Sequence, residues 1–189
     1  MLSWPSLSAI SKGENPASIN NDTWQFLLDN LDVPADYNYV CHLNKIVGGD
    51  NLVINAGFIR KVPISIGGTS WKPDMPIESQ VKEEITDVLE IEEPTERAIT
   101  HMLYLMRKQM FLDGNKRTSM LAVNQIMIAN GCGIISIPIE HQLEFTRMLV
   151  DFYESGDMEE IKTFVYENGI DGIDFRQNES QAEGEESFV

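Results

Sequence analysis

From Thr95 onward the chain repeats apolar residues at helical spacing. Ile99, Met102, Leu103, Met106 and Met110 occupy the i, i+3, i+4, i+7 and i+11 positions of one stripe. A helix carrying such a stripe must bury it. The chain then turns at Leu112 to Asn115 and enters a second apolar helix, Lys116 to Asn130, closed by Gly131. Two consecutive apolar helices make a helical body the expectation for everything around them.

The remaining segments agree. Asn21 or Asp22 can cap a first helix through Trp24, Phe26, Leu27 and Leu28, which stops before Pro34. A second, about Ala35 to Val47, turns Tyr37, Val40, Cys41, Leu43 (with Asn44) and Ile46 inward and ends at Gly48-Gly49. Ser79 to Leu89 is a polar-faced helix. Pro138 or Ile139 starts another through Phe145, Met148, Leu149 and Phe152, and Asp157 caps the last, which carries Ile161, Phe164 and Val165. Between Leu52 and Pro76 the period changes. Lys61 to Ile66 alternates and breaks at Gly67-Gly68, which predicts a short β-hairpin whose Pro63 confines it to an edge. The fold class expected is mainly α with one β-hairpin, over residues 20–170. An N-terminal segment, 1–19, precedes it, and an acidic, disordered tail, 171–189, follows.

Charge narrows the partners. The 189 residues include 14 basic and 30 acidic ones, a net charge of −16. The tail from Asp171 carries six acids against Arg176, so the first 170 residues are still at −11. Binding to a phosphate backbone needs clustered Lys and Arg, so no nucleic-acid partner is expected. A nucleotide with its metal still fits, because a local pocket can oppose the global field. Apolar runs fall far short of the roughly 18 residues that cross a bilayer, which argues against a membrane. The first ten residues have neither a basic start nor an apolar run, so no secretory signal is expected. Cys41 and Cys132 form no disulfide framework and no metal-ligand spacing; they fit buried thiols in a reducing cytoplasm.

The stretch that carries chemistry is Gln109-Met110-Phe111-Leu112-Asp113-Gly114-Asn115-Lys116-Arg117-Thr118. A helix ends, and an Asp-Gly-Asn turn opens the next. Gly and Asn tolerate positive φ, so successive N–H groups can point into one concavity at a helix N-terminus, where anions are favoured. Lys116 and Arg117 in that first turn oppose the macrodipole, at about 0.3–1 kcal/mol each, and a bound polyphosphate would reverse the sign. Asp113 can hold Mg²⁺, which bridges carboxylate and phosphate oxygens. On the residues alone, an ordinary capped helix start with solvated Lys116 and Arg117 is the alternative.

This stretch resembles the signature of the Fic/Doc (Fido) family, H-x-F-x-D/E-G-N-G/K-R. Phe111, Asp113, Gly114, Asn115, Lys116 and Arg117 match, and Gln109 stands where the family has its catalytic His. Val62 to Pro73 is similar to the family's flap hairpin, and Gly57-Phe58-Ile59-Arg60 to the G-x-x-R lead-in, which places the flap at about 57–73. The resemblance spans roughly residues 20 to 170. It implies a Fic-type helical bundle that transfers AMP from ATP to a Ser, Thr or Tyr hydroxyl of a target protein, with ATP and Mg²⁺ as cofactors. It further implies that Asp113 binds the metal and that Gly114, Asn115, Lys116 and Arg117 bind the nucleotide phosphates. The flap residues Ile64, Ser65, Ile66, Gly67, Gly68 and Thr69 would dock the target by strand addition.

Gln109 is the main departure, and two origins fit it: a subgroup's native residue or an introduced change. A carboxamide has no basic lone pair near neutral pH. Loss of a general base costs about 10²–10⁴-fold, or roughly 3–5 kcal/mol, while binding interactions survive. Glutamines also orient attacking groups in related chemistry. Lys116, where AMP-transferring members usually have Gly, and Met120, where another Arg often stands, resemble the Doc branch, which uses its nucleotide as a phosphate donor. Three readings follow: an AMP transferase, a Doc-like phosphotransferase, or a catalytically inactive nucleotide- or protein-binding module. Glu14-Asn15 matches the end of the family's inhibitory motif, but Ile10 replaces its Ser or Thr, so no Glu14 lock is expected. His101 lies a little over two helical turns before Gln109, too far to replace it. His42 and His141 lack neighbours at ligand spacing.

Overall fold

The computed structural model describes residues 21–48 and 55–172. Seven helices make up most of it: α1 (Asn21–Asp29), α2 (Tyr37–Val47), α3 (Glu78–Leu89), α4 (Pro94–Lys108), α5 (Asn115–Ala129), α6 (Gln142–Ser155) and α7 (Glu159–Asn168). The segment 1–19, Glu14-Asn15 within it, and the acidic tail beyond residue 172 lie outside the described residues.

Local chemistry sets the helix ends. The Asp36 side chain accepts the Tyr39 N–H at 2.9 Å and starts α2. Pro94 opens α4, where its missing N–H costs nothing, and Glu93 accepts the Glu96 N–H. Helix α5 is the axis of the bundle. α4 packs along it, α2 and α1 lean on it, and α3 covers α4. The predicted stripe of α4 is wholly buried, and it meets Leu121, Ala122, Val123, Ile126 and Met127 of α5. Buried leucines and methionines of this kind contribute roughly 1.5–3 kcal/mol each. α5 also buries Asn124 and Gln125, so these must find partners. Gln125 donates to the carbonyls of Leu31 and Val33 at 3.0 and 2.6 Å, which pins the chain after α1. Asn124 exchanges two bonds with the Ile135 backbone and fixes the strand β1 (Ile134–Ile135).

β1 pairs antiparallel with β2 (Ile170–Asp171), Ile134 opposite Asp171 and Ile135 opposite Ile170. Gly133 makes this approach feasible, since a Cβ there would stand 2.5 Å from the Asp171 carbonyl oxygen. The mainly α fold therefore carries its small sheet here. The 57–73 segment does turn at Gly67-Gly68, but its two arms form no ladder with each other. The physical reason is visible. Pro63 offers no N–H for a ladder, and the carbonyls of Val62, Pro73 and Asp74 are all turned onto the guanidinium of Arg60.

Two further expectations are refined. Cys41 and Cys132 are half-buried free thiols, and burial pushes the Cys41 thiol up to about 11. His101 is fully buried, and neither ring nitrogen makes a sound hydrogen bond among the described residues.

Candidate active site

The turn between α4 and α5 is built from both sides. Gln109 ends α4 in the left-handed region (φ 47°, ψ 53°), an uncommon conformation for a side chain other than Gly or Asn. Phe111 then plunges into the core, 2% exposed. Asn115 clamps it, because its Oδ1 accepts the Phe111 N–H and its Nδ2 donates to the Phe111 carbonyl, both at 2.9 Å. The Asn115 side chain is thus committed inward. Only its backbone N–H, with those of Lys116 and Arg117, belongs to the set an α-helix leaves without an intrahelical partner.

A second asparagine, Asn44 of α2, secures the other side. Its Nδ2 donates to the Asp113 carbonyl at 3.0 Å and to Thr118 Oγ1 at 3.1 Å, while its Oδ1 accepts the Gly57 N–H at 2.8 Å. Gly114 fits between these groups at φ 76°. A Cβ there would lie 3.0 Å from Asn44 Nδ2 and 3.2 Å from Val47 Cγ1. Asp113 Oδ1 accepts the Gly114 N–H at 2.6 Å, and its Oδ2 is 3.6 Å from Arg117 Nη2. The Asp113 side chain is 66% exposed and Arg117 23%, so this pair is solvated and readily exchanged for other ligands.

These groups line one cavity of about 330 Å³. Its walls are Ile64–Gly67 of the flap, Gln109, the turn Leu112–Arg117, and Thr146, Leu149, Val150 and Tyr153 of α6. The structure thus brings Ile64, Ser65, Ile66, Gly67, Gln109, Asp113, Gly114, Asn115, Lys116 and Arg117 together. Gly68 and Thr69 are outside the lining, and Thr69 Oγ1 instead donates to Glu154 Oε1 at 2.7 Å. The α6 wall is absent from the sequence reading. Its residues follow i, i+3, i+4, i+7 spacing, but periodicity cannot tell a face that meets the core from one that meets a cavity.

Gln109 Nε2 donates to the Met106 carbonyl at 2.7 Å, and the Tyr153 hydroxyl is a second hydrogen-bonding neighbour. Burial pushes that phenol up to about 12, opposed by Gln109, so it is no base near neutral pH. No histidine lines the cavity. The flap is fastened at its far end by Trp71, whose ring stacks on Tyr153 at 5.6 Å under the Arg107 guanidinium at 4.9 Å. Arg107 Nη2 also donates to the Tyr153 carbonyl at 3.2 Å.

Among the described residues no group of three or more His, Cys, Asp or Glu is placed to hold a metal ion. A single carboxylate suits Mg²⁺, which keeps several waters and completes its shell with substrate phosphates. The exposed Asp113 beside an N–H-lined turn has that chemistry.

A helical bundle with a turn at the foot of its axial helix and a flap across it defines a fold class, the Fic-type bundle. A model of the Fic/DOC family matches residues 34–127, so this part of the chain is similar to a Fic/DOC domain. Two solved structures share the fold. One is BepC, a VirB-translocated effector protein from Bartonella tribocorum, crystallised with bound AMPPNP: TM-score 0.54, 13% identity, 76% of this chain and 80% of that chain covered. The other is Fic-1 from C. elegans: TM-score 0.59, 24% identity, 87% of this chain covered. The chain spans 53% of the length of that second structure. No curated protein matches the sequence.

Proposed function

We propose that the protein binds a Mg²⁺-nucleotide in this cavity and transfers AMP to a hydroxyl of a protein segment lying along the flap. Its turnover is slow because Gln109 replaces the base, as in a subgroup of the family. One observation carries the reading: flap edge, N–H turn, Asp113, Arg117 and position 109 all line a single cavity. Arg117 and the first-turn N–H groups bind phosphate oxygens. Asp113 holds the metal, which neutralises phosphate charge. The arm Pro63–Ile66, without a ladder partner among the described residues, adds a strand of the target. The Gln109 carboxamide orients the incoming hydroxyl without deprotonating it. The two half-buried free thiols support a reducing cytoplasm as the setting.

A second reading, phosphate transfer, draws on the exposed Lys116 in the lining and on Met120, which packs against the core and offers no second cation. ATP labelled at the α- or the γ-phosphate, incubated with a lysate, separates them. Label from α-ATP, rising about 10²-fold or more in Gln109→His, is the expected result. Transfer of γ-label alone would establish the phosphate reading. No transfer by either protein would leave a binding module.

A further inference from the structure

Arg60 is 2% exposed, and among the described residues it has no carboxylate oxygen within 4 Å. A guanidinium has five N–H donors, and all five are placed. Nε donates to the Gln109 carbonyl at 2.7 Å. Nη1 donates to the Val62 carbonyl at 3.0 Å and to Met75 Sδ at 3.3 Å. Nη2 donates to the carbonyls of Pro73 and Asp74 at 3.4 and 2.5 Å. The Arg60 backbone N–H adds a bond to the Met110 carbonyl at 2.8 Å. One side chain therefore ties together three separate stretches: the first arm of the flap, the second arm, and the left-handed residue at position 109.

We propose that Arg60 is the positioning residue of this site: it fixes the flap against Gln109, so that a hydroxyl docked on the flap is presented to position 109 at a set distance. The proposal rests on the transfer reading above for its consequence, though not for its geometry. Two features support it. Among the described residues the arms have no ladder of their own, so the guanidinium supplies hydrogen bonds to both arms that a ladder would otherwise provide. A buried cation is expensive unless every donor is satisfied, and here three of the five acceptors are main-chain carbonyls of the two flap arms, with the Gln109 carbonyl and Met75 Sδ completing the set. A lysine keeps the charge, but its compact ammonium cannot span three segments.

Hydrogen exchange on Arg60→Lys tests the geometry. The amide of residue 60, bonded to the Met110 carbonyl, and that of Trp71, bonded to Thr69 Oγ1, should exchange at least about tenfold faster, with those of α4 and α5 unchanged. Unchanged flap exchange would overturn the proposal. In a Gln109→His background, Arg60→Lys should lower label transfer about tenfold while Mg·AMPPNP affinity stays within about twofold, because orientation and not nucleotide binding is lost. Undiminished transfer would also overturn it. If the Gln109→His parent transfers nothing, the transfer reading falls, and flap exchange alone decides for Arg60. If Arg60→Lys does not fold, NMR of the unmutated protein decides. A five-bonded guanidinium should give a slowly exchanging Nε–H and separately resolved Nη protons, whereas averaged, solvent-like signals would refute the tether.

Discussion

Gly114 occupies a space bounded by Asn44 and Val47, with a backbone only glycine adopts without strain. Gly114→Ala should cost about 1–2 kcal/mol for the left-handed conformation alone. Asn44 must also give way, and the new methyl displaces the amide that holds the Asp113 carbonyl. Urea unfolding checks the first effect. A weaker Mg·AMPPNP affinity, measured by calorimetry, checks the second. Asp113, Gly114 and Arg117 were legible in the sequence because turn and anion-nest chemistry is written in consecutive residues. Asn44 and Arg60 were not legible as the supports of that turn. Their partners lie 69 and 74 residues away for Asn44, and 49 away for the Gln109 carbonyl bound by Arg60. No local pattern records a contact over such a span. The inward commitment of the Asn115 side chain was hidden for a related reason: motif spacing places a residue but does not say which of its groups is already engaged.

At the scale of elements, α4 follows its apolar period closely, since helix-on-helix burial is what the period encodes, whereas α5 is buried without a break over Leu121–Met127. The flap diverges from its alternating pattern. Alternation predicts which side chains share a face but cannot show that the carbonyls will be drawn to a buried arginine instead of to one another. Its far arm is held by the half-buried Trp71, stacked between Tyr153 and Arg107. Trp71→Ala should therefore remove about 1–2 kcal/mol of aromatic and cation–π contact. The loss should be local. Trypsin should cut after the exposed Lys61 well before the helical body is attacked, and equal cutting of mutant and parent would show that the flap is held otherwise.

For the whole molecule, the acidic surface and the buried imidazole of His101 act together on pH dependence. Burial lowers that imidazole to about 4, opposed by the Ala35 backbone. An unfolded histidine titrates near 6.5, so below that pH the unfolded chain takes up a proton the folded one refuses. The stabilisation is complete above about pH 6.5 and drains away as the pH falls toward 4, with about 2 kcal/mol lost by pH 5. Urea midpoints at pH 7.5 and 5.0 should reveal this slope in the parent and a flatter one in His101→Leu. The mainly α architecture was readable from period and capping, whereas the cavity was not, because its α6 wall joins the turn only once the bundle has closed. Position 109 shows what that closure achieves. Its backbone is held by the Arg60 guanidinium and by the end of α4, neither of which touches the identity of the side chain it carries. Glutamine and histidine codons differ only in their third base. On the transfer reading proposed above, a lineage carrying this fold would slow its chemistry, or restore it, by one nucleotide change, without rebuilding the scaffold around that position.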